Sequence, residues 1–471
     1  MVFSSIPFLY YFFPAVLVLY FIAPRRVKNY VLLLAGIVFY FYGEQRLVLL
    51  MLFTALWDYG CAMFITLTRA KDKKVWPRVG LIASIVMDVG ILCYFKYTDF
   101  FITNINAIAG TKIPLLGIAL PIGISFYTFQ SMSYVIDVYR DKVKAVKNPF
   151  TYATYLTLFP QLIAGPIVRF ETVAAELENR THSFDKISAG AMRFTIGMAK
   201  KILIANVLGE FCANFSKVPE KTVVLCWLYA IAYSLQIYFD FSGYSDMAIG
   251  LGKILGFTFC ENFDYPYISK SVTEFWRRWH MSLGQWFRDY IYIPLGGSRN
   301  GTARWLLSVF TVWFVTGMWH GAGWNFIVWG LFFGVLLVLE KLFLRKFFDK
   351  IPTVFSHIYT LLAVAVSFVI FSCTENLGGF SAGLSHIASM FGFGGLPFMA
   401  SSTLYYLRDY AFVIVLGVIG STPLVRNTCR KLCDKFTVAN LATPVAMAAM
   451  IMLCVCELSD ATFNPFLYFN F

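Results

Sequence analysis

Residues 304–332, RWLLSVFTVWFVTGMWHGAGWNFIVWGLF, contain one histidine, His320, among aromatic and aliphatic residues. The run before it is apolar enough to enter a bilayer, and Gly321 and Gly323 then interrupt the helix. A helix that begins at residue 305 places His320 roughly 24 Å along its axis, deep in a hydrocarbon layer about 30 Å thick. An ionisable group at this depth is costly and predicts a function; the alternative is a histidine that locks a helix turn by bonding a carbonyl.

The chemistry predicted for His320 is general-base catalysis. Desolvation disfavours the imidazolium form, whereas the negative end of the preceding helix dipole favours it. A neutral imidazole that accepts a proton in the transition state is what a general base requires.

The composition of the 471 residues indicates a polytopic membrane protein. They are 59% hydrophobic and only 14% charged, and apolar runs recur from end to end. The net charge of +13 is distributed in short basic clusters between those runs, as in cytoplasmic loops, so nucleic acid is not expected as a partner. The ten cysteines lack zinc-ligand spacing, and neither a disulfide framework nor a metal site is predicted.

The apolar runs predict membrane spans along one domain, residues 1–471. The first run has no small-residue cleavage site after it and is expected to stay as an anchor. Basic clusters place the N-terminus outside and residues 140–147, 277–304 and 341–350 in the cytoplasm. The spans lie near residues 6–23, 29–43, 47–67, 79–97, 187–213, 222–240, 305–320, 324–345, 355–373, 380–398, 408–424 and 438–457.

Two apolar segments, residues 113–140 and 151–170, carry prolines and glycines that predict broken or re-entrant helices flanking one pocket. Further along, Asp240 and Asp246 lie in an apolar setting. They are expected either to line a polar space or pair with a cation from a neighbouring segment, or else to sit at a span end among the lipid headgroups.

Residues 271–290 predict an interfacial amphipathic helix with an aromatic stripe on one face and charged residues on the other. Ser271 and Glu274 are a candidate capping box at its start. His280 falls at the edge of the apolar stripe and can point inward, either to take part in catalysis or to anchor the helix.

Several long motifs in order resemble the bacterial membrane-bound O-acyltransferase (MBOAT) family, in the branch of the alginate O-acetyltransferase membrane subunit and its peptidoglycan-acetylating relatives. The resemblance covers nearly the whole chain. It implies tilted helices around a tunnel open to both membrane faces, with His320 as the catalytic histidine and His280 at a second signature position. The motifs are FWRRWHMSLGQWFRDYIYIPLGGSR (275–299), MWHGAGWNFIVWG (318–330), PIGISFYTFQSMSYVIDVYR (121–140), PQLIAGPIVRF (160–170) and NPFLYFNF (464–471).

The expected activity is acyl transfer across the cell membrane. Acetyl-CoA is the expected donor from the cytoplasm, and no permanently bound cofactor is predicted. His320 would take the proton of an attacking hydroxyl, while His280 or backbone donors at the broken helices orient the acceptor or stabilise the oxyanion. The family pattern implies an extracytoplasmic SGNH-hydrolase-like partner that completes transfer to a cell-surface polysaccharide.

Two other functions stay open at the level of sequence. One is D-alanyl transfer to teichoic acids from a carrier protein, within the same family. The other is a proton-coupled transporter or flippase in which the broken helices line a path and His320 relays protons. The absence of an internal repeat between the two halves argues against the second.

The C-terminal tail, residues 459–471, is almost wholly apolar and aromatic. It is too short to span the membrane and is expected to reach the outer face and pack into the protein or the interface. Tyr468, its only tyrosine, is predicted to accept the acyl group and pass it to the partner, because a phenol makes a more activated ester than an alkyl alcohol. The alternative is a tyrosine that anchors the tail.

Overall fold

The computed structural model describes residues 1–460 together with Asn464 and Leu467. These residues form helices and irregular segments without strands, which confirms the all-α class. Within them, seven helical stretches are long and apolar enough to cross a membrane, so the chain is a multi-pass membrane protein. These stretches are Lys28–Ala70, Trp76–Ala109, Val223–Ile254, Trp324–Phe348, Thr353–Asn376, Ser401–Gly420 and Thr437–Asp460.

The chain divides into two compact units. The first comprises Met1–Phe194 and Ser245–Cys260. Within it, α3 packs against α4 and α6, and α2 packs against α7. Its helices are α1 (Phe13–Ile22), α2 (Lys28–Glu44), α3 (Val48–Ala70), α4 (Trp76–Leu92), α5 (Thr98–Ala109), α6 (Ile124–Tyr139), α7 (Pro149–Thr157), α8 (Phe159–Leu162) and α9 (Phe170–Glu178).

The second unit comprises Thr195–Tyr244 and the chain from Glu261 onward, and α10 (Phe184–Ala199) and α12 (Val223–Ile254) have residues in both units. Its core is a continuous cluster of aromatic and aliphatic side chains. Its other helices are α11 (Val207–Asn214), α13 (Val272–Arg278), α14 (Met281–Phe287), α15 (Gly301–His320), α16 (Trp324–Leu339), α17 (Arg345–Phe348), α18 (Thr353–Asn376), α19 (Phe380–Met390), α20 (Ser401–Gly420), α21 (Leu424–Lys435) and α22 (Thr437–Asp460).

The two proline- and glycine-rich segments are broken, as predicted. Residues 110–120 are irregular before α6 begins at Ile124, and the buried segment after α8 is irregular up to α9. The span predicted at 380–398 is wrong, because α19 ends at Met390. Gly392 and Gly395 follow with φ of 82° and 67°, a backbone that glycine adopts without strain and that ends a helix.

Helix α12 continues well beyond the predicted end at residue 240, so Asp240 and Asp246 lie inside a helix rather than at a span end. Each pairs with a cation from the segment that begins with α10. Lys201 Nζ lies 2.5 Å from Asp240 Oδ1 with both side chains buried, and Arg193 Nη2 lies 2.8 Å from Asp246 Oδ1. The structure therefore confirms the charge-partner alternative.

Candidate functional site

The segment at residues 271–290 folds as two short helices, α13 and α14, instead of the single amphipathic helix predicted. The break falls at His280, which has φ 44° and ψ 53° in the left-handed region and precedes the first residue of α14. A left-handed residue cannot continue a right-handed helix, so the backbone turns at the histidine. Much of the aromatic stripe packs inside the protein, and His280 itself is 2% exposed.

The start of α13 is fixed by hydrogen bonds to its backbone. Ser271 Oγ accepts a bond from the Glu274 N–H at 3.0 Å, as the capping-box pattern predicted. The Glu274 carboxylate accepts instead from the Lys270 N–H, so the box is only half formed. The buried carboxylate of Glu340 accepts from the N–H groups of Val272 at 2.6 Å and Thr273 at 2.9 Å. A carboxylate at a helix N-terminus is favoured by the helix dipole, and here it fixes the entry to the turn.

Asn262 holds the turn between α13 and α14 through its side chain and its backbone carbonyl. Its Oδ1 lies 3.1 Å from His280 Nδ1 and accepts bonds from the Ser282 hydroxyl at 2.8 Å and the Ser282 N–H at 3.3 Å. Its backbone carbonyl accepts from the Met281 N–H at 2.9 Å. One residue therefore sets both the backbone at the break and the orientation of the imidazole.

This geometry defines the protonation state of His280. Because Asn262 Oδ1 is an acceptor, His280 Nδ1 carries the hydrogen, and Nε2 of the neutral ring presents a lone pair. Burial lowers the pKa of His280 to about 3, since the imidazolium is desolvated there. The ring is neutral at physiological pH and can accept a hydrogen bond from a hydroxyl.

His320 is the last residue of α15 and is 5% exposed, as the glycine pattern after it predicted. The close crossing of α15 and α16 fixes its position. A Cβ on Gly317 would lie 2.4 Å from the Phe326 carbonyl oxygen, and a Cβ on Gly330 would lie 2.2 Å from the Trp313 carbonyl oxygen. Only glycine permits this approach, so the two helices meet backbone to backbone one turn before His320.

Three aromatic rings surround the His320 imidazole edge-on. The ring centroids of Trp319 and Trp329 lie 4.9 Å away, and that of Phe371 lies 5.2 Å away, with interplanar angles of 80° to 83°. Asn325 Nδ2 donates to the Phe371 carbonyl oxygen at 3.0 Å and so links the start of α16 to α18. The three rings make an apolar surface around the histidine, and the Asn325 hydrogen bond joins two of the helices that form it.

The structure brings His320 and His280 together. The His280 ring lies 5.9 Å from the ring of Trp319, which also contacts His320. Phe241 of α12 contacts His280 edge-on at 4.6 Å. Trp319 thus contacts both imidazoles, in a wall formed from α12, α15 and the α13–α14 turn.

Tyr468, the third predicted site residue, lies outside the described residues. Its neighbour Leu467 is 5% exposed and belongs to the core of the second unit. The Leu467 N–H donates to Asp240 Oδ2 at 3.0 Å, and Asn464 Oδ1 accepts from Asn206 Nδ2 at 3.2 Å. At these two described positions the C-terminal tail packs into the protein, as predicted.

Sequence reasoning missed Asn262 and Glu340. The signal for Glu340 was a carboxyl group inside the apolar run predicted as the span 324–345. Nothing in the sequence near Asn262 distinguished it from an ordinary loop asparagine. Among the described residues there is no group of three His, Cys, Asp or Glu side chains arranged to hold a metal ion.

Comparison with known proteins matches residues 37–382 to the family model for membrane-bound O-acyltransferases, MBOAT. The chain is 39% identical to the probable alginate O-acetylase AlgI of Pseudomonas putida over the whole of both chains. It is 32% identical to the peptidoglycan O-acetyltransferase of Helicobacter pylori, covering 84% of this chain and 81% of that one. The chain is 29% identical to the teichoic acid D-alanyltransferase of Bacillus subtilis, covering 52% of this chain and 65% of that one.

Proposed function

Because this chain belongs to the membrane-bound O-acyltransferase family, and is an O-acyltransferase, we propose that it moves an acetyl group from cytoplasmic acetyl-CoA across the cell membrane for O-acetylation of a cell-surface polysaccharide. The observation that carries the proposal is the meeting of His320 and His280 on Trp319, in an apolar wall. The names of the full-length relatives, an alginate O-acetylase and a peptidoglycan O-acetyltransferase, support an acetyl donor and a glycan acceptor.

In the proposed reaction, His320 is the general base. It removes the proton of the acceptor hydroxyl as the oxygen attacks the thioester carbonyl carbon; the new C–O bond forms, the C–S bond breaks, and the imidazolium returns the proton to the departing thiolate. General-base assistance is worth about 10²- to 10⁴-fold, so positioning in a dry site supplies the rest.

His280 is proposed to position the acceptor. Its Nε2 lone pair faces away from Asn262 and can accept a hydrogen bond from the hydroxyl or a neighbouring group on the acceptor. The oxyanion is proposed to be stabilised by the backbone N–H groups at the start of α16, three to four residues after His320.

Tyr468 is proposed as the relay between the membrane protein and an extracytoplasmic SGNH-hydrolase-like partner. In this relay the Tyr468 phenol is the acceptor hydroxyl that attacks the thioester, with His320 taking its proton; a hydroxyl of the partner then attacks the aryl ester, takes the acetyl group and releases the phenol. The bond from the Leu467 N–H to Asp240 supports the proposal, because it holds the preceding residue inside the protein. Tyr468→Phe keeps the ring and removes the nucleophile, and it should abolish surface acetylation. Normal acetylation in that variant would reduce the residue to an anchor.

The general test uses purified protein and acetyl-CoA labelled in the acetyl group. His320→Ala should lose at least about 10²-fold in transfer while the protein stays monodisperse. The control is His357→Ala, a histidine on α18 whose Nδ1 bonds the Ser269 carbonyl oxygen. Retention of most activity in His320→Ala would overturn the assignment of His320 as the general base. If turnover requires an acyl carrier protein and does not run on acetyl-CoA alone, the donor is the carrier-bound D-alanyl group of the alternative function.

A further inference from the structure

Two carboxyl groups inside the first unit play no part in the proposed acyl transfer. Asp58 lies on α3 and Asp88 on α4, and both belong to stretches long and apolar enough to span the membrane. The side chains are 0% and 1% exposed, and the two carboxyl groups lie within hydrogen-bonding reach of each other. Ionised groups in such a place are costly unless something compensates the charge.

Among the described residues, no cation pairs with these two carboxyl groups. In residues 1–460, no lysine, arginine or histidine pairs with either carboxyl group. The titratable neighbours are Cys61 on α3, Tyr127 on α6 and Tyr152 on α7, and all three are ordinarily uncharged at neutral pH. Two carboxylates facing each other there would leave two negative charges in a low-dielectric interior.

The hydrogen bonds distinguish the two carboxyl groups. Asp58 accepts from the Ser84 hydroxyl at 2.7 Å on one oxygen and from the Ser131 hydroxyl on the other. The Ser131 oxygen lies 2.7 Å from the Tyr152 hydroxyl. Neither Asp88 oxygen accepts a bond from a described donor. The donors thus favour a carboxylate at Asp58, whereas Asp88 is satisfied only by carrying a hydrogen of its own.

We propose that Asp58 and Asp88 form a proton-binding site within the membrane, in which Asp88 carries the proton and donates a hydrogen bond to the Asp58 carboxylate. In the part of the chain that the structure describes, no third His, Cys, Asp or Glu side chain joins this pair to make a group that could hold a metal ion, so a proton is the ligand we propose. Loss of this proton would set two negative charges against each other where α3, α4 and α6 pack. The proposal is independent of the acyl-transfer function.

Infrared spectroscopy of the purified full chain at neutral pH tests the proposal. A protonated carboxyl group has a C=O stretching band above the carboxylate bands that shifts in heavy water. We expect this band in the unmodified protein, its loss in Asp88→Asn, and its retention in Asp185→Asn, a control at an exposed position. Absence of the band from the unmodified protein, or an unchanged band in a folded Asp88→Asn variant, would overturn the proposal.

Thermal stability in detergent gives a second readout. The folded protein would hold one more proton than the unfolded chain, so stability should fall as the pH rises through the neutral range. Asparagine keeps an N–H donor to Asp58 but has no proton to lose, so Asp88→Asn should flatten this fall. Replacing sodium by potassium at constant ionic strength should change nothing. A sodium-dependent rise in Tm that Asp88→Asn removes would identify a metal ion instead of a proton.

Discussion

Substitution of Gly317 by alanine should separate α15 from α16 and displace His320, the proposed general base. The added Cβ would lie 2.4 Å from the Phe326 carbonyl oxygen, whereas ordinary contacts need about 3.5 Å, so the backbones must part by roughly 1 Å. Such overpacking costs about 1–3 kcal/mol. A displacement of about 1 Å at a reacting group costs on the order of 10²-fold in rate. His320 lies three residues further along the same helix and moves with it.

The matched control is Gly60→Ala. Gly60 is also inside a long helix, α3, but a Cβ there meets nothing within 4 Å. Alanine in that position should raise stability by about 0.5–1 kcal/mol and leave acetyl transfer unchanged. The two variants therefore have opposite expected shifts in Tm, measured by thermal unfolding in the same detergent. If Gly317→Ala matches Gly60→Ala in both Tm and transfer rate, the close crossing does not position the histidine.

Three further outcomes are expected. His280→Ala should keep measurable acetyl transfer, since a positioning group is less critical than the base; a loss equal to that of His320→Ala would show that the two act as a unit. Because burial lowers the pKa of His280 to about 3, its ring stays neutral in the working range, and the acidic limb of the pH–rate profile should be unchanged in His280→Ala; a shifted limb would contradict this. Asp240→Asn should cost about 3–5 kcal/mol by leaving Lys201 charged and buried, and should release the C-terminal tail to limited proteolysis. Asp264→Asn, at a half-exposed pair with Arg278, should cost less than about 1 kcal/mol, and equal losses in both would show that burial is not what makes the Asp240 pair strong.

The sequence predicted those features that depend on local chemistry. The apolar runs predicted most spans, and the glycines after His320 predicted the end of its helix, because hydrocarbon thickness and backbone freedom act residue by residue. The resemblance of long motifs predicted the family, which the comparison confirmed. The assignments of His320, His280 and Tyr468 to catalysis stay predictions until the variants are measured.

The features that the sequence could not predict depend on distant contacts. The left-handed break at His280 is fixed by Asn262, eighteen residues earlier, and the start of α13 by Glu340, more than sixty residues later. Helical periodicity alone predicted a single helix at residues 271–290, since the apolar residues of each half recur at helical spacing. The wrong prediction of a span at 380–398 is different, since its cause is local. The apolar composition was given more weight than Gly392 and Gly395, which follow the end of α19.

The left-handed backbone at His280 is a source of strain that two substitutions can measure. For a residue with a Cβ, this conformation costs about 1–2 kcal/mol, and glycine adopts it freely. The backbone therefore favours glycine, whereas the proposed positioning role requires an imidazole, and His280→Gly should fold more stably than His280→Ala while being no better a catalyst. Both variants also lose the bond to Asn262 and the ring contacts with Phe241 and Trp319, so each should be less stable than the unmodified protein, and the difference between the two measures the backbone strain at this position.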